Sequence, residues 1–264
     1  MHKNCKPWWQ TVFDQNYLKI YVDIATPEIT KTQVDFLTKV LDLPKGAVIL
    51  DLACGWGRHS IGLAKLDFQV IGIDFSKHFL NQARQEAKKI GVKVMFRRQD
   101  MRHLNFVNKF NAVINMFNSF GYFEKESDHL LVLKKVVKSL KPKGKFLVDL
   151  NNGLETLMKL YSNRKVNRKT GFLTNIRRHK LSTGNIALAK NEFDPVNMRW
   201  FLTRTWKENG KLRKYMSNMR LFTLPELRHL MEESGLLIEK VWGDFDYSPY
   251  NINSPRMIIL AKKR

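Results

Sequence analysis

The feature that most constrains this chain is Val48-Ile49-Leu50-Asp51-Leu52-Ala53-Cys54-Gly55-Trp56-Gly57-Arg58-His59-Ser60. A continuous apolar run passes through a turn with two glycines into a segment with helical spacing. Such a run reads as a strand buried on both faces, which places helices on either side of a parallel sheet. Glycine lets the turn adopt backbone conformations, and permits ligand approaches, that a Cβ would block. The start of the following helix offers free N–H groups to an anion. Asp74 ends the next apolar run, where a carboxylate can accept the hydroxyls of a ribose. A dinucleotide-binding fold uses a similar turn and acid. Here the third fingerprint glycine is replaced by Ser60, and Asp51 sits just before the loop, so the pattern departs from that fold.

The remaining sequence extends the alternation. Strands are expected at 47–52, 69–73, 93–97, 112–116 and 145–150, with helices at 58–65, 77–90 and 126–140 between them. Residues 8–23 and the segment opened by Pro27 read as two earlier helices. Lys141-Pro142-Lys143-Gly144 reads as a turn that stops the helix before it. From 151 to 220 the pattern changes to alternating segments at 172–176, 186–193, 199–206 and 212–219, with turn residues between them, as in an antiparallel sheet. A helix at 224–234 follows, then strands at 236–242 and 257–261. Their connection is too short for a helical crossover, so they should pair antiparallel. The expected organisation is an α/β core at 1–150 and 221–264 with an N-terminal helical lid, interrupted by an inserted antiparallel β subdomain at 151–220.

Composition narrows the function classes. The 264 residues suit one α/β domain with an appended part. The only cysteines, Cys5 and Cys54, fit no metal-ligand spacing and no disulfide framework, so no metal is expected. No run reaches the roughly 20 apolar residues of a membrane span, and the first residues lack a signal-peptide pattern. A cytoplasmic location is the resulting expectation. The net charge of +22 suggests either an anionic partner or a lysine-rich solvated surface. Lysines in nearly every segment favour the second. The local exception is 164–180, which concentrates Arg164, Lys165, Arg168, Lys169, Arg177, Arg178 and Lys180.

Several segments in register resemble one family. Asp51-Leu-Ala-Cys-Gly-Trp-Gly57 looks like motif I of the class I methyltransferases that use S-adenosylmethionine (SAM). Ile71-Gly-Ile-Asp-Phe-Ser76 looks like motif II, and Arg98-Gln-Asp-Met-Arg102 like the segment after the third strand. Phe110 to Tyr122 looks like motif IV, and Leu140 to Lys145 like the turn before the fifth strand. The resemblance runs from about Tyr17 to the C-terminus. It implies a Rossmann-like seven-stranded sheet with an antiparallel last strand. The Asp-Met-Arg and Met-Phe-x-Ser-x-Gly-Tyr segments and Tyr17-x-x-x-Tyr21 are similar to small-molecule N-methyltransferases, with sugar-amine dimethyltransferases and glycine N-methyltransferases nearest.

The resemblance also implies roles by position. The backbone of Ala53, Cys54, Gly55 and Gly57, after Asp51, would flank the methionine moiety, with Arg58 close by. Asp74 would hold the ribose, Phe75 would pack on the adenine, and Asp100 would accept from its amine beside Met101. Asn115 and Met116 would lie near the sulfonium, which Tyr21 or Phe120 could face, and Tyr17 and Tyr21 would form a lid. Asn118, Ser119, Tyr122 and Asn151 are the candidates for contact with the methyl acceptor, expected to be a small-molecule amine. RNA or protein is the alternative acceptor, but neither an Asn/Asp-Pro-Pro-aromatic tetrapeptide nor a Pro-Cys nucleophile is present. A nicotinamide dehydrogenase and a non-catalytic SAM-binding protein are the readings from other classes.

Overall fold

The structure, a computed structural model, describes residues 7–13, 15–21, 25–161, 165–181 and 184–264. Its centre is a seven-stranded sheet. The strands β1 (Val48–Leu52), β2 (Gln69–Asp74), β3 (Val94–Arg98), β4 (Phe110–Asn115) and β5 (Leu140–Asn151) run parallel. Helix α2 (Pro27–Leu41) precedes β1, and helices α3 (Arg58–Ala64), α4 (Lys77–Ile90) and α5 (Glu126–Ser139) connect the strands. These strands are apolar on both sides because helices cover both faces. Ile49, Leu50, Leu52, Val113 and Ile114 are all fully or almost fully buried.

The last strand of the sheet, β12 (Arg256–Lys263), pairs antiparallel with both β5 and β11 (Leu236–Trp242). The spatial order is β11-β12-β5-β4-β1-β2-β3. The order therefore reverses between β1 and β4, and a crevice opens at their carboxyl ends, as such sheets require.

The inserted segment forms a second, antiparallel sheet in the order β10-β9-β8-β7-β6. Its strands are β6 (Lys165–Val166), β7 (Leu173–Lys180), β8 (Ile186–Asp194), β9 (Arg199–Glu208) and β10 (Lys211–Arg220). One face buries Ala187, Ala189, Leu202, Trp206 and Tyr215 against Tyr17 and Ile20 of α1 (Gln15–Tyr21) and Phe79 of α4. Helix α7 (Leu224–Ser234) returns the chain to the main sheet. Its capping box pairs Thr223 with Glu226, and left-handed Gly235 ends it.

Three local expectations need correction. Residues 8–23 are not one helix: a single 3₁₀ turn, Trp8–Gln10, precedes α1. The Thr11 hydroxyl closes the 3₁₀ turn on the Trp8 carbonyl (2.9 Å), and the Ser76 hydroxyl donates to the Phe13 carbonyl (2.8 Å), so the chain after that turn is tied to the core. Residues 141–144 do turn, but inside β5 and not ahead of it: Leu140 already pairs with Phe110, the register against β4 then jumps to Lys145, and the four unpaired residues loop out with Lys143 left-handed. Finally, the insertion begins with a helix, α6 (Gly153–Tyr161), where only strands were expected. Its buried stripe is short, with Thr156 and Leu160 its buried side chains beyond Gly153.

Candidate active site

The crevice begins with the turn after β1. Ala53, Gly55 and Gly57 all have positive φ, at 61°, 57° and 80°. Ala53 pays strain for this, whereas glycine does not. A Cβ on Gly57 would lie 2.8 Å from the Phe96 ring and 2.9 Å from Ala83, so this glycine lets α3 close on β3 and α4. A Cβ on Gly55 would have nothing nearer than Phe79 at 4.0 Å, so the space above that turn is open. Ser60, which replaces the missing third glycine, is fully buried and donates to the Asp51 carboxylate at 2.6 Å. Burial pushes the Asp51 carboxyl up to about 6. Asp51 thus braces the foot of the turn and does not line the crevice.

Two acids stand at the carboxyl ends of the neighbouring strands, Asp74 closing β2 and Asp100 two residues past β3. Asp74 accepts from the Gly55 N–H (2.9 Å) and the Ser76 N–H (2.7 Å), and burial raises its carboxyl above the ordinary carboxylate value. Asp100 is held by Arg102, whose Nη2 approaches to 2.7 Å, and its carboxyl lies below the usual value despite partial burial. Phe75 lies between them, with Trp9 edge-on at 5.0 Å and the Arg98 guanidinium over its ring at 5.0 Å.

Arg58 guards the other end. Its Nη1 donates to Thr30 (3.2 Å) and to Gln33. Its guanidinium lies over the Phe117 ring at 5.3 Å. Its Nη2 is buried with no partner. Burial lowers its pKa to about 10, so it remains a cation at neutral pH. His59 shares Gln33 (2.9 Å), and burial, then Arg58, holds its imidazole well below the ordinary range.

The loop after β4 forms the third wall. Phe117 and Asn118 are consecutive non-glycine residues at φ 60° and 61°. Two such residues store strain that neighbours must hold in place. Buried Asp149 does so, accepting from the Phe117 N–H (2.9 Å) through its side chain and from the Asn118 N–H (3.0 Å) through its carbonyl. Arg256 pairs with Asp149 (2.7 Å) and with Asn151 (2.5 Å), and the Asn118 side chain accepts from the Asn151 N–H. Asn118 and Asn151 are therefore engaged with the scaffold and line a smaller hollow with Phe120. Ser119 and Tyr122 face the crevice itself.

The crevice encloses about 850 Å³ of space not filled by protein atoms, including its open mouth. Of the residues the sequence singles out, it brings together Tyr17, Ala53, Cys54, Gly55, Arg58, Asp74, Phe75, Asp100, Met101, Met116, Ser119 and Tyr122. Asp51, Gly57, Asn115, Phe120 and Tyr21 stand behind this lining. Asn115 donates to the Leu52 carbonyl (2.8 Å), and Tyr21 stacks on Tyr17 at 4.3 Å. Residues that sequence reasoning missed complete the wall: Trp9, Phe13, Trp56, Phe79, Phe117 and Phe123 among them. The cluster Trp8-Trp9…Phe13 was visible as an aromatic run, but its site contacts depend on docking.

Residues 49–144 match the methyltransferase domain family. The chain carries a methyltransferase domain. The methyltransferase is 26% identical to the Bacillus subtilis protein YqeM over 255 residues, covering 94% of this chain and 96% of that one. It is 25% identical over 203 residues to dTDP-3-amino-3,4,6-trideoxy-alpha-D-glucopyranose N,N-dimethyltransferase of Streptomyces venezuelae, covering 76% and 79%. Its fold superposes on the CcbJ methyltransferase of Streptomyces caelestis with a TM-score of 0.80 at 19% identity, covering 96% and 98%.

Proposed function

We propose that this methyltransferase takes its methyl group from SAM and transfers it to the amine of a small molecule. The observation that carries the reading is the arrangement of charge around the crevice. The buried, unpaired Nη2 of Arg58 lies at one end, and the carboxylates of Asp74 and Asp100 stand at the carboxyl ends of two neighbouring strands. That donor set fits SAM. Arg58 suits the carboxylate of its amino acid end, Asp74 suits ribose hydroxyls, and Phe75 with Met101 suits an adenine face. The bound donor supplies an already activated methyl group on a sulfonium.

The chain's own task is then alignment and exclusion of water. Near-attack positioning alone can supply roughly 7–11 kcal/mol. The aromatic wall of Trp9, Phe13, Tyr17, Phe117 and Tyr122 keeps water out and offers ring faces to a cation. Among the described crevice residues, no group is poised as a strong base near neutrality. Burial raises the Tyr17 and Tyr122 phenols, His59 is depressed, Asp100 is committed to Arg102, and Asp74 is taken up by the Gly55 and Ser76 N–H groups. The amine must therefore arrive neutral and release its proton to water. The sugar N,N-dimethyltransferase, similar over 76% of this chain, supports an amine acceptor, whereas the similarity to ubiquinone biosynthesis O-methyltransferases covers under half of it.

The second sheet, with α1 beneath it, serves as the acceptor-side cover in this reading, and the core of 1–150 and 221–264 serves as the donor-binding part. Calorimetry with SAM tests the donor half. Asp74→Ala should weaken SAM binding at least tenfold, about 1.4 kcal/mol or more. Parent-like affinity in a folded Asp74→Ala protein contradicts the site.

A further inference from the structure

The second sheet has two faces, and its inner one packs on α1 and α4. The outer face is open. Side chains alternate between the faces along each strand, so register between strands shows which outer residues are neighbours. Ile176 of β7 pairs with Lys190, Lys190 with Thr203, and Thr203 with Met216. Two residues along, Arg178 pairs with Leu188, Leu188 with Thr205, and Thr205 with Lys214. In the next row Lys180 pairs with Ile186, and Lys207 with Leu212. These twelve positions hold five aliphatic side chains, five cations, two threonines and no acid.

The aliphatic side chains stand well out from the sheet. Leu212 is 71% exposed, Ile176 66%, Ile186 65%, Leu188 44% and Met216 43%. All five cations are exposed as well, and Lys190 alone reaches an acid in the adjoining row, Glu192 at 2.7 Å. Grouped apolar exposure marks an interaction surface, and the cations say what kind. The occupant must be anionic. A second copy would set the same cations face to face, which is costly. Four strands about 4.8 Å apart and three rows about 6.7 Å apart give a patch of roughly 400 Å². A stable protein interface takes about 800 Å² from each partner. Single-stranded RNA is held on exposed aromatic platforms, and the twelve positions hold no ring. Phe172 and Phe201, at the rim, stack on each other at 5.9 Å. Aliphatic tips among lysines suit a lipid surface, where the tips enter the acyl boundary and the ammonium groups meet phosphates.

We propose that the outer face of the second sheet docks on an anionic lipid bilayer and holds the protein at the membrane surface without spanning it. None of the twelve residues lines the crevice, so docking leaves the donor site free. The inference goes beyond the reading of the crevice and is independent of which acceptor is methylated.

The test is flotation of the full chain with vesicles of phosphatidylglycerol and, separately, of phosphatidylcholine. The parent should float with the first and stay behind with the second, and added salt should weaken the binding. Ile186→Thr with Leu212→Thr keeps β-branched residues in the strands and removes the aliphatic tips. This pair should weaken vesicle binding about tenfold or more. Lys207→Gln with Lys214→Gln should weaken it roughly fivefold for each lysine at low salt. Lys88→Gln with Lys89→Gln removes the same charge from the exposed end of α4 and should change little. All variants should keep the parent's Tm, which shows that the sheet still folds. Equal flotation with both lipids, or with neither, would overturn the proposal. So would vesicle binding that ignores Ile186 and Leu212, or that falls as much with the α4 pair, because net charge alone then explains it. RNA binding that the threonine pair weakens tenfold would assign the face to RNA, and self-association that this pair abolishes would assign it to a second copy.

Discussion

At the scale of single residues, two buried titratable groups shape stability on the acid side of neutral pH, with opposite signs. Asp51 keeps its proton in the fold up to about pH 6, against an ordinary value of 3.8. As pH rises from about 4 to 6, the unfolded chain ionises first, so stability falls, and above pH 6 the full cost of about 3 kcal/mol stands. Asp51→Asn retains an acceptor for Ser60 and should recover up to that amount at pH 7, with little gain at pH 4; denaturant titrations at the two pH values measure it. His129 sits among Phe120, Phe123 and Phe222, and burial, then Arg199 and Arg220, lowers its imidazole to about 4. The unfolded chain takes up that proton below about pH 6.5, so stability is lost as pH falls from 6.5 to 4, again on the order of 3 kcal/mol. His129→Leu should flatten the acid side of the stability profile, and an unchanged profile counts against this account.

At the scale of elements, the loops at the crevice are strained and pinned from below. The Asp149–Arg256 pair holds the left-handed Phe117 and Asn118, with Asp149 fully buried. Removing one partner of a buried pair typically costs about 3–5 kcal/mol. Arg256→Met should therefore lower stability by that order in chemical denaturation, and it should also impair turnover by releasing Ser119 and Tyr122. Gly57→Ala meets both a positive φ and a contact under 3.0 Å. It should cost about 2–4 kcal/mol and weaken SAM binding together, read by thermal melts with and without ligand.

At the scale of the whole molecule, the chain carries a net charge of +22 with a local basic concentration in its sequence. Residues 164–180 read as a basic patch, but Arg164 lies outside the described residues. Strand β7 sends Arg177 and Arg178 to opposite faces, and Arg177 donates to the Lys159 carbonyl of α6 at 2.7 Å. The net charge of +22 should produce weak RNA binding that falls steeply with salt. Filter binding across a salt series, with radiolabelled SAM present, should show this without methyl incorporation into RNA; incorporation would favour the RNA reading. Among the described residues no helix is long and apolar enough to cross a membrane.

What the sequence determined by itself is local and periodic. The glycine turn, the acids at strand ends and the order of strands and helices follow from side-chain pattern and backbone freedom within about ten residues. The antiparallel last strand also followed, because its connection is too short for a crossover. Tertiary structure alone decided which side chains meet. It turned Asn118 and Asn151 toward the scaffold, set Asp51 under the turn, folded Trp9 and Phe13 into the wall, and ran β5 through residues that resemble a turn. Apart from the Asp51–Ser60 bond, these outcomes depend on contacts between segments about 30 to 115 residues apart, and a local pattern carries no information about such distances.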